Sequence, residues 1–475
     1  MPMISLTRRF AGARLRPSMS ASMSASMGAP LAALSLALII VLAAPAPAGA
    51  EAEAGAGNTA FSLDVTEQTS PNGITFWHVE APEIPIVDLQ ARFDGGARLD
   101  TAEKAGAMRL VMGLLDEGAG DRDAIAFADE ALALNARFGF STGREAVRVS
   151  ARMLADRAQA SAALLNEALT QPRFDADAIE RVRTQALAGI AAGETDPRTQ
   201  ARLAFYAGLF GEHPYARPVS GTAESVAAIT REDLVAAHGR AMALDRAYVA
   251  VVGAIDAEAA GLLVDTAFAG IAEEASVALP APPEMSTAAG IQIVDLDIPQ
   301  SVLIWGQEGL ERSDPDFLIA SVMNYILGGG GFSSRLMTEV REKRGLAYGV
   351  SSSLSPLDGA PLYVGSVQTA NERIGESLEV IRQEWQRMAK EGVSEAELAA
   401  AQRYLTGAFA LRFDSNAKIT GYLVAAQRYD LGLDYIDRRN GLMMAVTTED
   451  IARLAARLLR PDALSIVVVG KPAGL

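Results

Sequence analysis

Ile229-Thr230-Arg231-Glu232-Asp233-Leu234 leads through a helical stretch into Tyr248-Val249-Ala250-Val251-Val252-Gly253. Val446-Thr447-Thr448-Glu449-Asp450-Ile451 leads in the same way into Ser465-Ile466-Val467-Val468-Val469-Gly470. Glu232 to Glu449 and Gly253 to Gly470 are the same 217 residues apart, so the stretches align without a gap. A threonine ahead of two acids is a helix-start signal, with Thr230 and Thr447 as the N-caps. The β-branched run that closes on glycine reads as a buried strand. A period this long excludes a solenoid and marks a domain present twice.

Between the copies, residues 273–290 carry Pro280, Pro282 and Pro283 and show no helical or strand period. This is a proline-rich linker in the extended regime. It places one domain at about 58–272 and the other at 291–475. The first domain opens with apolar residues in strand alternation, Ile74 and Phe76, then Val87, Leu89, Ala91 and Phe93. Helical periods follow over 105–115, 123–135, 156–169, 176–192 and 198–209. Strands grouped with helices, without strict alternation, predict an α+β fold: a mostly antiparallel sheet backed by helices in each domain.

Composition excludes several functions. The chain has 475 residues, half of them apolar, and no cysteine. That rules out a disulfide scaffold, a thiol nucleophile and cysteine-ligated metal. With 42 basic against 58 acidic residues the net charge is −16, which disfavours non-specific nucleic-acid binding. Only three histidines exist, His78, His213 and His238. Their spacing matches no zinc pattern, so they are read as structural.

The first fifty residues read as an export signal. Arg8, Arg9, Arg14 and Arg16 precede an apolar run, Leu31 to Leu42, and Ala48-Gly49-Ala50 fits a cleavage site. The expected mature chain starts near Glu51, is exported (periplasmic in a Gram-negative source) and has no membrane span once the signal is removed. The competing reading is an uncleaved anchor helix.

Two further stretches carry a resemblance. One is Gly328-Gly329-Gly330-Gly331-Phe332-Ser333-Ser334-Arg335-Leu336, which runs through Arg341 and Gly345 to Tyr348; the other is His213-Pro214-Tyr215. Together with the duplicated segments, they resemble the pitrilysin-like (M16) zinc peptidases, the family that includes the mitochondrial processing peptidase subunits. Active members carry His-x-x-Glu-His on the first helix of domain one. Two histidines at i and i+4 share a zinc there, and the glutamate polarises the zinc-bound water. The matching positions here are Arg109, Met112 and Gly113, and the third ligand falls near Gly189, with Glu194 out of register. The zinc chemistry is therefore absent, and this chain is expected to bind no cofactor.

The resemblance assigns Arg341 and Tyr348 to substrate binding, gripping the peptide carbonyl oxygen. Their spacing of seven allows one helical face, whereas Gly345 favours a helix-to-strand corner. Without the family, Arg341 reads as a surface ion pair and Tyr348 as a strand core residue. In the family the glycine run Gly328 to Gly331 packs beside the peptide cleft; the plainer reading is a helix C-cap and turn. No Gly-Lys-Ser/Thr follows it, so it is no nucleotide loop. The resemblance implies a non-catalytic subunit of a heterodimeric metallopeptidase. Its expected partners are a homologous zinc-bearing subunit and a peptide or unfolded-protein substrate. The alternative is a peptide-binding or structural protein outside proteolysis.

Overall fold

The computed structural model describes residues 62–286 and 290–475, and the signal-peptide reading of 1–50 lies outside them. The duplicated signals become matching elements. Helices Arg231–Ala241 and Thr448–Leu458 start and stop at positions 217 residues apart. Both start with a reciprocal capping box. Asp233 N donates to Thr230 Oγ1 and Thr230 N to Asp233 Oδ2, and Thr447 and Asp450 repeat the pattern. Each box satisfies two of the N–H groups that a helix start leaves unpaired.

The first half contributes strands β1 (Thr66–Thr69), β2 (Thr75–Glu80) and β3 (Ile86–Asp94). A two-stranded ribbon follows, β4 (Gly118–Ala119) with β5 (Arg122–Asp123). Then come β6 (Arg137–Thr142), β7 (Ala146–Leu154) and β8 (Ala247–Gly253). The second half contributes β9 (Gly290–Asp295), β10 (Gln300–Glu308), β11 (Ala347–Ser355), β12 (Leu362–Ala370) and β13 (Ser465–Gly470). The sheets run β1-β2-β8-β3-β7-β6 and β11-β12-β10-β13-β9. Each has a single parallel pair, β2 with β8 and β9 with β13, and is otherwise antiparallel. The fold is α+β, built twice.

One face of each sheet packs on its own helices. Leu89, Ala91 and Phe93 of β3 join Met108, Leu165 and Leu263 in the first core. Leu303 and Trp305 of β10 join Trp385 and Met388 in the second. The opposite faces exchange helices. The Pro197–Phe210 helix, from the first half, sets Phe205, Leu209 and Phe210 against Val302, Val467 and Val469 of the second sheet. The Asn416–Arg428 helix, from the second half, sets Ile419, Leu423 and Val424 against Trp77, Val79, Ala250 and Val252 of the first. Each fully buried aliphatic side chain in these seams contributes about 1.5–3 kcal/mol relative to exposure.

Two expected spans change. The helix read over 105–115 forms only over Ala107–Met112. Gly106 sits at φ +95 and the Asp100 carboxylate takes the Gly106 and Met108 N–H groups, which fixes the start; Gly113 is the C-cap. The helix read from 156 starts at Ala158, after a 3₁₀ turn over Ala155–Arg157. The linker is strapped down: Ser286 N donates to Leu209 O and His213 Nε2 to Ala281 O. Among the described residues, no helix is long and apolar enough to cross a membrane.

Candidate functional site

The short 107–112 helix bears the positions where the resemblance would put zinc. Arg109 and Gly113, four apart, both face solvent, and Arg109 has no ion pair among the described residues. Met112 points the other way, 2% exposed within the first core. Gly189 lies exposed on the Ala176–Thr195 helix with open space around it. A Cβ at Gly113 would meet Val182 Cγ1 at 3.2 Å. A zinc ion takes nitrogen, sulfur or oxygen ligands from at least three protein groups. Here the positions offer a cation, a buried thioether and two glycines, so these residues do not fit the metal. Beneath them, burial pushes the Asp100 carboxyl up to about 6, against the two N–H groups it caps.

The three histidines are occupied elsewhere. Nε2 of His78, His213 and His238 lies 3.0, 2.9 and 2.7 Å from the carbonyl oxygens of Ile255, Ala281 and Leu169. A carbonyl only accepts, so each ring donates. His213 also accepts from Tyr215 N through Nδ1, which requires the neutral ring. Burial lowers all three pKa values. Next to His213, Tyr215 donates to Glu145 Oε1 at 2.6 Å, while Arg98 bridges Tyr215 and Asp358. The His-Pro-Tyr turn is thus a rivet between the halves.

Arg341 and Tyr348 line one cleft from the two sides of a corner. A short helix over Met337–Glu342 with π-type bonding ends with Lys343 as its C-cap, the chain turns at Gly345, φ +60, and β11 begins at Ala347. A left-handed residue at this point favours glycine. Arg373 Nη1 donates to Gly345 O at 2.7 Å, and Arg344 donates to Glu339 O, so the corner is held from both sides. Behind it Arg335 grips Glu397 through Nε and Nη2, which holds that carboxyl down to about 2. Tyr348 is 91% exposed, which excludes the strand-core reading. Arg341 is half-buried, its guanidinium 4.5 Å above the Phe332 ring, and it has no carboxylate partner among the described residues. The surface ion-pair reading fails with it.

The glycine run is a close-packing device. A Cβ on Gly328 would lie 2.4 Å from Ser352 Oγ, and one on Gly330 would lie 2.6 Å from Tyr325 O. Gly331, φ +58, turns the chain and presents Phe332, which is 66% exposed. The helix end is thereby pressed onto β11 just behind the corner.

Arg341 and Tyr348 open onto a cleft of about 1260 Å³ over the uncovered part of the second sheet. Gln300, Ser366 and Gln368 lie on its floor, and the crossing 197–210 helix supplies Arg198, Arg202 and Tyr206 as the far wall. Neither Arg109, Met112 and Gly113 nor the four glycines line it. The sequence reading missed this wall. The signal was present, since Arg198, Arg202 and Tyr206 recur every four residues directly beside the apolar row Ala201, Phe205 and Leu209. What it lacked was the knowledge that this helix crosses to the other half.

Comparisons with known proteins agree with this architecture. Residues 79–223 match the model described as insulinase (peptidase family M16), and residues 228–405 match the peptidase M16 inactive domain. An uncharacterized zinc protease of Mycobacterium leprae is 31% identical over 365 residues, covering 75% of this chain and 81% of that protein. The non-peptidase homolog YmxG of Helicobacter pylori is 26% identical over 334 residues, covering 69% of this chain and 76% of that protein. A crystal structure of a peptidase M16 inactive domain from Pseudomonas fluorescens superposes with a TM-score of 0.80 at 32% identity, covering 86% of this chain and 98% of that one. Two matched halves, an exchanged pair of helices and these relatives lead to one conclusion: the chain belongs to the M16 peptidase family.

Proposed function

We propose that this chain is the non-catalytic subunit of an exported two-chain metallopeptidase, holding substrate peptide in its own cleft for a zinc-bearing homologue. The observation that carries the reading is the contrast within one molecule. The zinc positions offer no suitable ligand, while Arg341 and Tyr348 both line an open cleft, and Arg341 has no carboxylate partner among the described residues. The relative YmxG of Helicobacter pylori, a non-peptidase homolog, supports the same reading. In the assembled pair the partner carries the zinc and the general base. Arg341 and Tyr348 donate to the scissile carbonyl oxygen, where a guanidinium and a phenol stabilise developing negative charge.

The test is purification of the native protein and identification of what accompanies it. A similar-sized chain carrying His-x-x-Glu-His is expected, and the isolated chain should neither retain zinc nor cleave peptide. One tightly bound zinc per isolated chain with chelator-sensitive activity would overturn the proposal, as would a stable lone monomer beside a fully active lone partner.

A further inference from the structure

Four arginines, Arg198, Arg202, Arg341 and Arg373, line the cleft against a single carboxylate, Glu372. None of the four has a carboxylate within 4.0 Å among the described residues, although the chain carries 58 acidic residues and a net charge of −16. In so acidic a protein, unpaired cations gathered in one cavity are not the product of composition. Arg198 and Arg202 also stand four apart on one helix face, an arrangement that like charges disfavour. Arg198 donates through Nε and Nη2 to the neutral Gln368 Oε1, which satisfies two of its N–H groups and leaves its charge unmet. The cavity exceeds the roughly 300–1,000 Å³ of small-molecule sites and is floored by strands. Cations on both walls of a long cleft suit a ligand with carboxylates spaced along it.

We propose that this cleft selects extended peptide segments rich in Asp and Glu. The inference rests on the reading of the cleft as a peptide site and adds the substrate class. Fluorescence anisotropy with the purified full chain tests it. The probes are three labelled twelve-residue peptides of one framework, with Glu, Gln or Lys at alternate positions. The Glu peptide is expected to bind at least tenfold more tightly than the Gln peptide at low salt, with the gap closing as salt screens the charges. Arg198→Gln with Arg202→Gln, both at exposed positions, should abolish the preference, and Arg198→Glu with Arg202→Glu should transfer it to the Lys peptide. Equal affinity for the Glu and Gln peptides would overturn the charge selection and leave the peptide site standing. Failure of all three peptides to bind would remove the peptide site itself. A single-stranded oligonucleotide that binds more tightly than the Glu peptide, and is lost in the same variants, would overturn the choice of peptide.

Discussion

The inward faces of the two sheets, built to one plan, treat charge in opposite ways. On the first, Asp88 is paired with Arg152 at 3.0 Å, and Asp94 with Arg92 and Arg428, both at 2.7 Å. On the second, the corresponding strands present Val302, Ile304, Ser366 and Gln368, all uncharged, and the arginines around them have no carboxylate within 4.0 Å among the described residues. The first face is closed upon itself and on the 416–428 helix. The second is left with unmet charge. Duplication supplied two equal frames, and one of them was kept as structure while the other was kept open.

The largest expected effect lies on the open face. Arg341→Ala in the assembled pair should cut turnover about 10²–10³-fold, the usual cost of one oxyanion-type donor, and Tyr348→Phe should fall at or below the low end. Neither should move the denaturant midpoint, because a cleft residue makes few core contacts. Unchanged turnover in Arg341→Ala would break the comparison outright. On the closed face the order reverses. Arg428→Met should lower stability by about 1–3 kcal/mol, since it strips one partner from the buried Asp94 and, at a more exposed and screened position, one from Asp358. Wild-type stability there would show that the first face is no more finished than the second.

Gly328→Ala sharpens the contrast. Its Cβ would meet Ser352 Oγ and, at 2.9 Å, Ser352 N, so overpacking of about 1–2 kcal/mol is expected, with displacement of the corner behind Arg341. Loss of both midpoint and turnover would fit this; loss of the midpoint alone would detach the glycine run from the cleft. The smallest effect is a pH slope in the first half. His238, buried against Leu169 O and Phe174, has a lowered pKa from desolvation. The unfolded chain therefore takes up its proton first. The stability this group confers is complete above the unfolded value of 6.5 and is lost as pH falls below it. Denaturant titrations between pH 6.5 and 6 should show a flatter slope in His238→Gln than in the parent chain. An unchanged slope would exclude His238 as a contributor.

What the sequence disclosed was local chemistry. Threonine caps at Thr230 and Thr447 and the β-branched runs ending at Gly253 and Gly470 act within a few residues of themselves, so their register could be read and the doubled frame followed. The absence of ligating atoms at Arg109, Met112 and Gly113 was legible for the same reason. The length of that helix was not, because its start depends on Asp100, outside the periodic stretch. The far wall of the cleft was hidden for a topological reason. Arg198 and Arg202 look like an ordinary solvated helix face until the helix is known to lie across the other sheet.

That exchange of helices governs how the chain can be made. Asn416 Nδ2 reaches Ile86 O across 330 residues of sequence, and Gln90 Nε2 reaches Ala417 O across 327. A ribosome that has released the first half has not yet produced the helix that covers Trp77, Val79, Ala250 and Val252. Until residue 428 emerges, those side chains face water. Contacts of such high sequence separation are slow to form, and an uncovered apolar sheet is prone to aggregate while it waits. Synthesis of this protein therefore imposes a holding period on its own N-terminal half, and the first half expressed alone would remain in that state.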